Sequence, residues 1–517
     1  MPQNIASSAK IISASILLSR VFGLVRDMLA ASLFGTSWIY DAFVIAFIIP
    51  NLFRRIFGEG ALTAAFVPAF TDYLENKPRQ EALKFVSSIL TALTALLSGI
   101  TLLGIIFFVF APGLLSLLFD IAPKTQLTSN LTAIMLPYMP LVCVVAILSA
   151  ALNCVKHFAA PAIASVLLNL SWIAGLLAAR YFSNDPGQQV TWMAWSIVIG
   201  GALELLLQLP VFVKKELNSP AVFNLHHPGL RETANLMLPV VFGLSVMQIN
   251  YLADNLIAEI CVPGDGAVSA LYYGNRLMQL PLALFGIALA QAAFPFFSEY
   301  IAKKDYTKAR QSIIETVNSC LYIAVPASVG MAVLALPLTR LLFERGSFNE
   351  MSSSRTSIVL LMYSFGIWSM ACQQIITRAF YAMKNMKTPL KVGIVMVGLN
   401  FALNLTFVWF LQEAGLALAT TICSLLNASI LLRILKKNLP GFELRQIHNM
   451  FLKAIFASCL MGLACKGVLL ASEKYGHEIL RSKFVFLLTQ NISAVLIGTG
   501  VYFAVMKLIN RKKLPAS

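Results

Sequence analysis

The stretch LLSRVFGLVRD, Leu17 to Asp27, places Ser19, Arg20, Arg26 and Asp27 inside an otherwise apolar run. Each charged residue held at the middle of a bilayer costs about 2.5–3.5 kcal/mol, so these groups must face water, counter-charge or a ligand. At about 100° per residue, Ser19 and Arg26 share one stripe of a helix, and Arg20 and Asp27 share the next. A second apolar run carries Asp41 and ends in PNLFRRIFGEGAL, with Asn51, Arg54, Arg55 and Glu59. A third contains LYYGNRLMQLP, where Ser269 precedes Arg276 by two helical turns. Arginine is planar, always charged and able to bond two oxygens at once, which suits it to phosphate. Arg20, Arg26, Arg54 and Arg276 therefore form a candidate site for an anionic, phosphate-bearing group, with Asp27 and Asp41 orienting the guanidinium groups. For Arg55 and Glu59, one turn apart, the plainer reading is a helix-surface ion pair.

A weaker constellation centres on Asp254 in QINYLADNLIA, with Asn400 and Asn404 one turn apart and Thr420 further on. One carboxylate with amide and hydroxyl oxygens suits a monovalent cation; hydrogen bonding between helices accounts equally for Asn and Thr in a membrane.

These residues need long apolar helices to hold them. Of 517 residues, 58% are hydrophobic and 12% charged, about half the charged fraction of an ordinary soluble domain. Apolar runs of about 20 residues recur from end to end, the signature of an all-α polytopic membrane protein. Fourteen transmembrane helices are expected, within about 11–33, 39–57, 86–110, 131–153, 161–182, 191–213, 233–260, 267–296, 312–337, 356–383, 391–411, 416–434, 449–471 and 485–507. Arg20 interrupts the first run and no small-residue cleavage site follows, so that helix is expected in the mature protein. Lysines and arginines concentrate in alternate loops, including Lys77, Lys156, Lys214, Lys303 and Lys384, and in the tail at Arg511 to Lys513. Both termini are thus expected in the cytoplasm. The same bias explains the net charge of +16 without nucleic acid. Eight scattered cysteines and five loop histidines show no metal spacing.

The chain also repeats itself. Pro68-Ala-Phe-Thr-Asp-Tyr73 returns as Pro295-Phe-Phe-Ser-Glu-Tyr300, and Asp27-Met-Leu as Asp254-Asn-Leu, both at the same offset in numbering. Lys156 and Pro161 return as Lys384 and Pro389, one position later than that offset. The reading is two six-helix lobes, 1–225 and 226–440, in the same membrane orientation, followed by two C-terminal helices in 441–517 with a basic tail. That is a transporter-like plan. In the turn after the second helix, Glu59 and Gly60 of GEGAL are candidate gate or hinge residues.

Four segments carry a resemblance: LSRVFGLVRD, YDAFVIAFIIPNLFRRIFGEGALTAAFVPAF, LYYGNRLMQLPLALFGIAL and FYAMKNMKTPLK. Through them the chain resembles, nearly end to end, the MurJ/MviN family of lipid II flippases in the multidrug/oligosaccharidyl-lipid/polysaccharide exporter superfamily. The resemblance implies two lobes forming a V and a groove for a polyprenyl tail made by helices 13 and 14. It implies lipid II, an undecaprenyl-pyrophosphate disaccharide-pentapeptide, as substrate, carried from the cytoplasmic to the periplasmic leaflet of the bacterial inner membrane for cell-wall synthesis. By motif position Arg20, Arg26, Arg54 and Arg276 match the family's cavity arginines. Ser19, Asp27, Asp41, Asn51, Glu59 and Ser269 match polar positions associated with the cavity or its gating. Asp254, Asn400 and Asn404 resemble a sodium site of some members, with Asn404 where others carry aspartate. The implied protein is a monomer with no covalent cofactor; contacts with other cell-wall synthesis proteins stay open. The rival readings are a cation-coupled exporter of another lipid-linked oligosaccharide or drug, which should prefer acidic cavity residues, and an enzyme acting on the same lipid. An enzyme would need a catalytic carboxylate or histidine cluster in an external loop, and the expected external loops are short.

Overall fold

The computed structural model describes residues 2–58, 61–116, 122–218, 220, 227–475 and 482–511. Among them there are helices and no strands. They group into two compact units, Met1–Leu252 and Ala253–Ser517.

The first unit holds α1 (Pro2–Phe34), α2 (Trp38–Phe53), a π-helical turn (Arg54–Gly58), α3 (Ala61–Asn76), α4 (Arg79–Leu115), α5 (Pro123–Met135), α6 (Tyr138–Cys154), α7 (Ala159–Phe182), α8 (Pro186–Lys214) and most of α9 (Pro228–Cys261). The second begins inside α9. It continues with α10 (Ala267–Pro281), a π-helical turn (Leu282–Ile287), α11 (Ala288–Ala302), α12 (Tyr306–Val333), α13 (Ala335–Phe343), α14 (Glu350–Ser364), α15 (Ile367–Ala382), α16 (Lys387–Asn438), α17 (Leu444–Tyr475) and α18 (Lys483–Arg511).

Several helix starts repeat at about the offset of the short motifs. Helices α1 and α9 start at 2 and 228, α4 and α12 at 79 and 306, α6 and α15 at 138 and 367. The two π-turns begin at 54 and 282. Each lies just after a proline within a helix, Pro50 or Pro281, where a missing N–H breaks the regular ladder.

Nine helical segments among the described residues are long and apolar enough to cross a membrane, or ten if the bent pair α14–α15 is one span. The expected stretches fall on helical segments, three of them, 131–153, 312–337 and 356–383, across a turn between two helices; charge and length keep several from qualifying on their own. Helix α1 carries Arg20, Arg26 and Asp27, and α2 is only 16 residues long. The 52-residue α16 is broken at Gln412, whose φ of 51° leaves the helical region. Large side chains point outward along α4, among them Leu103, Phe107, Phe110 and Leu114, a surface that suits hydrocarbon rather than water.

In the first unit Phe66, Phe70 and Phe85 form a buried aromatic stack under α3 and α4. Between α7 and α8 the backbones come close: a Cβ at Gly175 would collide with the side chain of Ser196. Small residues of this kind let membrane helices pack without a hydrophobic driving force. In the second unit Glu344 ties α13 to α18 through Lys483 at 2.7 Å. Burial opposes its charge, but Lys483 and Arg340 outweigh that and hold its carboxyl below the usual carboxylate range.

Helix ends repeat as well. Lys156 and Lys384 follow α6 and α15 with φ of 59° and 57°. The next amides, of His157 and Asn385, bond back to the carbonyls of Leu152 and Phe380 at 2.9 and 3.0 Å. This left-handed cap normally falls to glycine; lysine there sets a positive charge beside the helix C-terminus. We expect Lys156→Gly to leave stability unchanged or raise it by up to about 1 kcal/mol, and Lys156→Val to lower it by about 1–2 kcal/mol. Thermal unfolding in detergent micelles reads both.

Candidate functional site

The charged stripe of α1 folds onto α7. Arg26 is 6% exposed and Asp27 4%. The Arg26 Nε and Nη2 both donate to Asp27 Oδ1, at 2.9 and 2.7 Å, and its Nη1 donates to Asn169 Oδ1 at 3.0 Å. The guanidinium lies 4.2 Å from the centre of the Trp172 ring, within the range of a cation–π contact. Asn169 Nδ2 donates in turn to Ser19 Oγ at 3.1 Å and to the Ser165 carbonyl at 3.1 Å. Arg26 thus meets Asp27 directly and Ser19 through Asn169, and Trp172 covers its guanidinium; the sequence marks neither Asn169 nor Trp172 as a partner. Arg20 stands on the exposed side of α1.

Helix α2 opens with Ser37, whose side chain accepts from the Tyr40 amide at 3.4 Å. Asp41, in the first turn, is 1% exposed and pairs with Lys124 of α5 at 3.1 Å. This pair ties the start of α2 to α5. At the other end Arg54 opens the π-turn, and its Nε donates to Asn51 Oδ1 at 3.1 Å. Wide turns of this kind gather at functional sites. Arg55 lies 5.5 Å from the Tyr251 ring and 3.5 Å from Gln248 Oε1, both on α9. Glu59 and Gly60, the candidate gate, lie outside the described residues.

In the second unit Arg276 lies on α10 over the ring of Tyr272, 5.2 Å from its centre. Its Nε and Nη2 donate to the Tyr272 hydroxyl at 3.3 and 3.2 Å. Ser269, two turns earlier, is fully buried. The cation constellation assembles: Asn404 Nδ2 donates to Asp254 Oδ1 at 2.6 Å and to Asn400 Oδ1 at 2.9 Å. Asn400 Nδ2 reaches Thr420 Oγ1 at 3.4 Å. In this arrangement the Asn404 NH2 stands between the oxygens. The oxygens of Asp254, Asn400 and Thr420 are the donors this cluster could offer a monovalent cation.

Long apolar helices in two repeats, with arginines built into them, define a polytopic membrane transporter. A family model described as "Lipid II flippase MurJ" matches residues 30–489, and the chain belongs to that family. Among its relatives are a "Probable lipid II flippase MurJ" of Vibrio cholerae, 32% identical over 474 residues covering 89% of this chain and 87% of the relative, and the "Lipid II flippase MurJ" of Burkholderia cenocepacia, 33% identical over 434 residues covering 82% and 83%. A solved structure titled "Lipid II flippase MurJ, inward closed conformation" is 25% identical, covers 97% of this chain and 99% of its own, and has a TM-score of 0.79. An inward-facing multidrug-resistance transporter of the MATE family, 12% identical, covers 82% and 95% with a TM-score of 0.68 and shares the fold.

The Arg26 network sets an order of costs. Removing Asp27 leaves a buried guanidinium without its anion, about 3–5 kcal/mol. Removing Asn169 deletes a neutral partner, about 1–3 kcal/mol. We therefore expect Asp27→Ala to lower thermal stability in detergent more than Asn169→Leu does; the reverse order would assign Arg26 to Asn169 and Trp172 instead.

Proposed function

We propose that this protein flips lipid II from the cytoplasmic to the periplasmic leaflet of a bacterial cytoplasmic membrane, with both termini inside. The pyrophosphate of such a lipid cannot cross about 30 Å of hydrocarbon unaided. Arg20, Arg26 and Arg54 of the first unit, supported by Ser19 and Asn51, and Arg276 of the second, supported by Ser269, are each proposed as phosphate contacts. The observation that carries this reading is how two of the arginines are aimed. Asn51 Oδ1 accepts from Arg54 and the Tyr272 hydroxyl accepts from Arg276, so each guanidinium is given a direction by a neutral group. A guanidinium aimed in this way can take up phosphate oxygens and give them back. No bond in the substrate is made or broken, so positioning and counter-charge suffice. Alternating access, with the GEGAL segment as gate, supplies the passage.

The reading is tested at Arg276, which does not share the Arg26 network. A charge-assisted hydrogen bond is worth about 1.5–3 kcal/mol, so Arg276→Ala should slow flipping in proteoliposomes about tenfold to hundredfold while membrane insertion is unchanged. Arg276→Lys should recover part of the rate, since a point charge lacks the two-pronged geometry. Full activity in Arg276→Ala would overturn the phosphate role.

Asp254, Asn400, Asn404 and Thr420 are proposed to hold one sodium ion, which would couple the cycle to the sodium gradient. A ligand of the folded state stabilises it by mass action. The melting temperature in detergent should rise more in NaCl than in KCl, and Asp254→Asn should abolish the difference. Equal shifts in wild type and variant would make these residues interhelical hydrogen bonds only.

A further inference from the structure

Helix α15 has a divided surface. One side, with Ala371, Cys372, Ile375, Ile376, Ala379 and Phe380, is buried in the apolar core of the second unit. The other side carries Gln373, Gln374, Thr377, Arg378 and Tyr381, all half-buried. At 100° and 1.5 Å per residue these five fall within an arc of about 140° and a length of about 12 Å. They lie in the bent pair α14–α15, which passes as one membrane span.

Among the described residues, no side-chain amide or hydroxyl of this face has a hydrogen-bond partner. Arg378 meets only rings: its guanidinium lies 5.6 Å from the centre of Phe294 on α11 and 5.9 Å from that of Tyr381. Ring contacts engage the flat face of the cation and leave its N–H groups to donate elsewhere.

Amides and hydroxyls in membrane helices commonly serve to bond one helix to the next. The first repeat shows that packing does not require them here. Aligned on the left-handed caps at Lys156 and Lys384, Val145, Ala146 and Ala150 stand where α15 has Gln373, Gln374 and Arg378, and all three are buried. The second copy has replaced three buried apolar residues with two amides and a cation.

Hydrocarbon offers such groups no partner, so the face must meet water or a polar ligand. The mixture of groups selects the ligand. A phosphate oxygen accepts and is matched by donors, whereas a carboxamide or a hydroxyl both donates and accepts. Two amides and two hydroxyls along one face complement a ligand whose groups do both, as the hydroxyls of a sugar do, and Tyr381 adds a ring face against its C–H side. We infer that this face of α15 is a glycan-binding site, taking the disaccharide of a polyprenyl-pyrophosphate-linked substrate. Gln373, Gln374 and Thr377 exchange hydrogen bonds with the sugar hydroxyls, and Arg378 donates to sugar oxygens. This deepens the lipid II reading made above and rests on it.

The experiment is calorimetric titration of the full-length protein in detergent with three ligands: undecaprenyl pyrophosphate, its disaccharide derivative without peptide, and lipid II. The variant is Gln374→Leu with Thr377→Val, which removes hydrogen-bonding groups and no charge. Two lost hydrogen bonds should weaken both sugar-bearing ligands by about tenfold to hundredfold. Affinity for undecaprenyl pyrophosphate should stay within about twofold of the wild type, since its charged contacts lie elsewhere. Thr377→Ser, which keeps the hydroxyl, should keep the wild-type affinities. An equal loss for all three ligands, or no loss for any, would overturn the inference while leaving the phosphate site standing. A loss confined to lipid II would also overturn it, assigning the face to the peptide. Should the double variant fail to fold, Gln374→Leu and Thr377→Val made singly give the same comparison at about threefold to tenfold each. Failure of the wild type to bind any of the three would overturn the lipid II reading and this inference together.

Discussion

An ionised group inside hydrocarbon has no water to lean on, and this constraint organises the molecule. Several of its intramembrane charges are built into contacts that span helices. Arg26 reaches its own neighbour Asp27 and then α7; Asp41 reaches Lys124 on α5; Asp254 reaches Asn404 on α16. Each contact also fixes two helices to one another, so the polar groups serve as register pins where apolar packing alone is non-directional. A membrane protein that needs cationic charge for its substrate obtains helix specificity from the same residues.

The partners differ in kind. Asp27 neutralises Arg26 outright and Trp172 covers the guanidinium face, whereas the groups that aim Arg54 and Arg276, Asn51 and Tyr272, are neutral. A carboxylate beside a guanidinium fixes both its place and its charge balance, whereas an amide or a phenol adds direction.

Much of this was legible in the sequence. Arg26 with Asp27, and Asp254 with two asparagines one turn apart, stand out because charged or amide groups interrupt apolar runs. The duplication was visible in a handful of motifs, and the structure extends it to helix starts and to both π-turns. Asn169, Trp172 and Lys124 were not legible as partners. They lie several helices away from Arg26 and Asp41 along the chain, and nothing local marks an asparagine or tryptophan in an apolar helix as the one a distant arginine will choose.

The repeat has a consequence for the two carboxylates it copied. Asp27 and Asp254 are equivalent positions, each on the opening helix of its half and each meeting an asparagine-bearing helix. Beside Asp27 stands Arg26; at the matching place beside Asp254 stands Ala253. The first copy of the acid therefore has a cation tethered to the backbone beside it, whereas the second is met by the amide of Asn404. A single position of the repeat thus separates a carboxylate with a built-in counter-charge from one that is given a hydrogen bond by a neutral group.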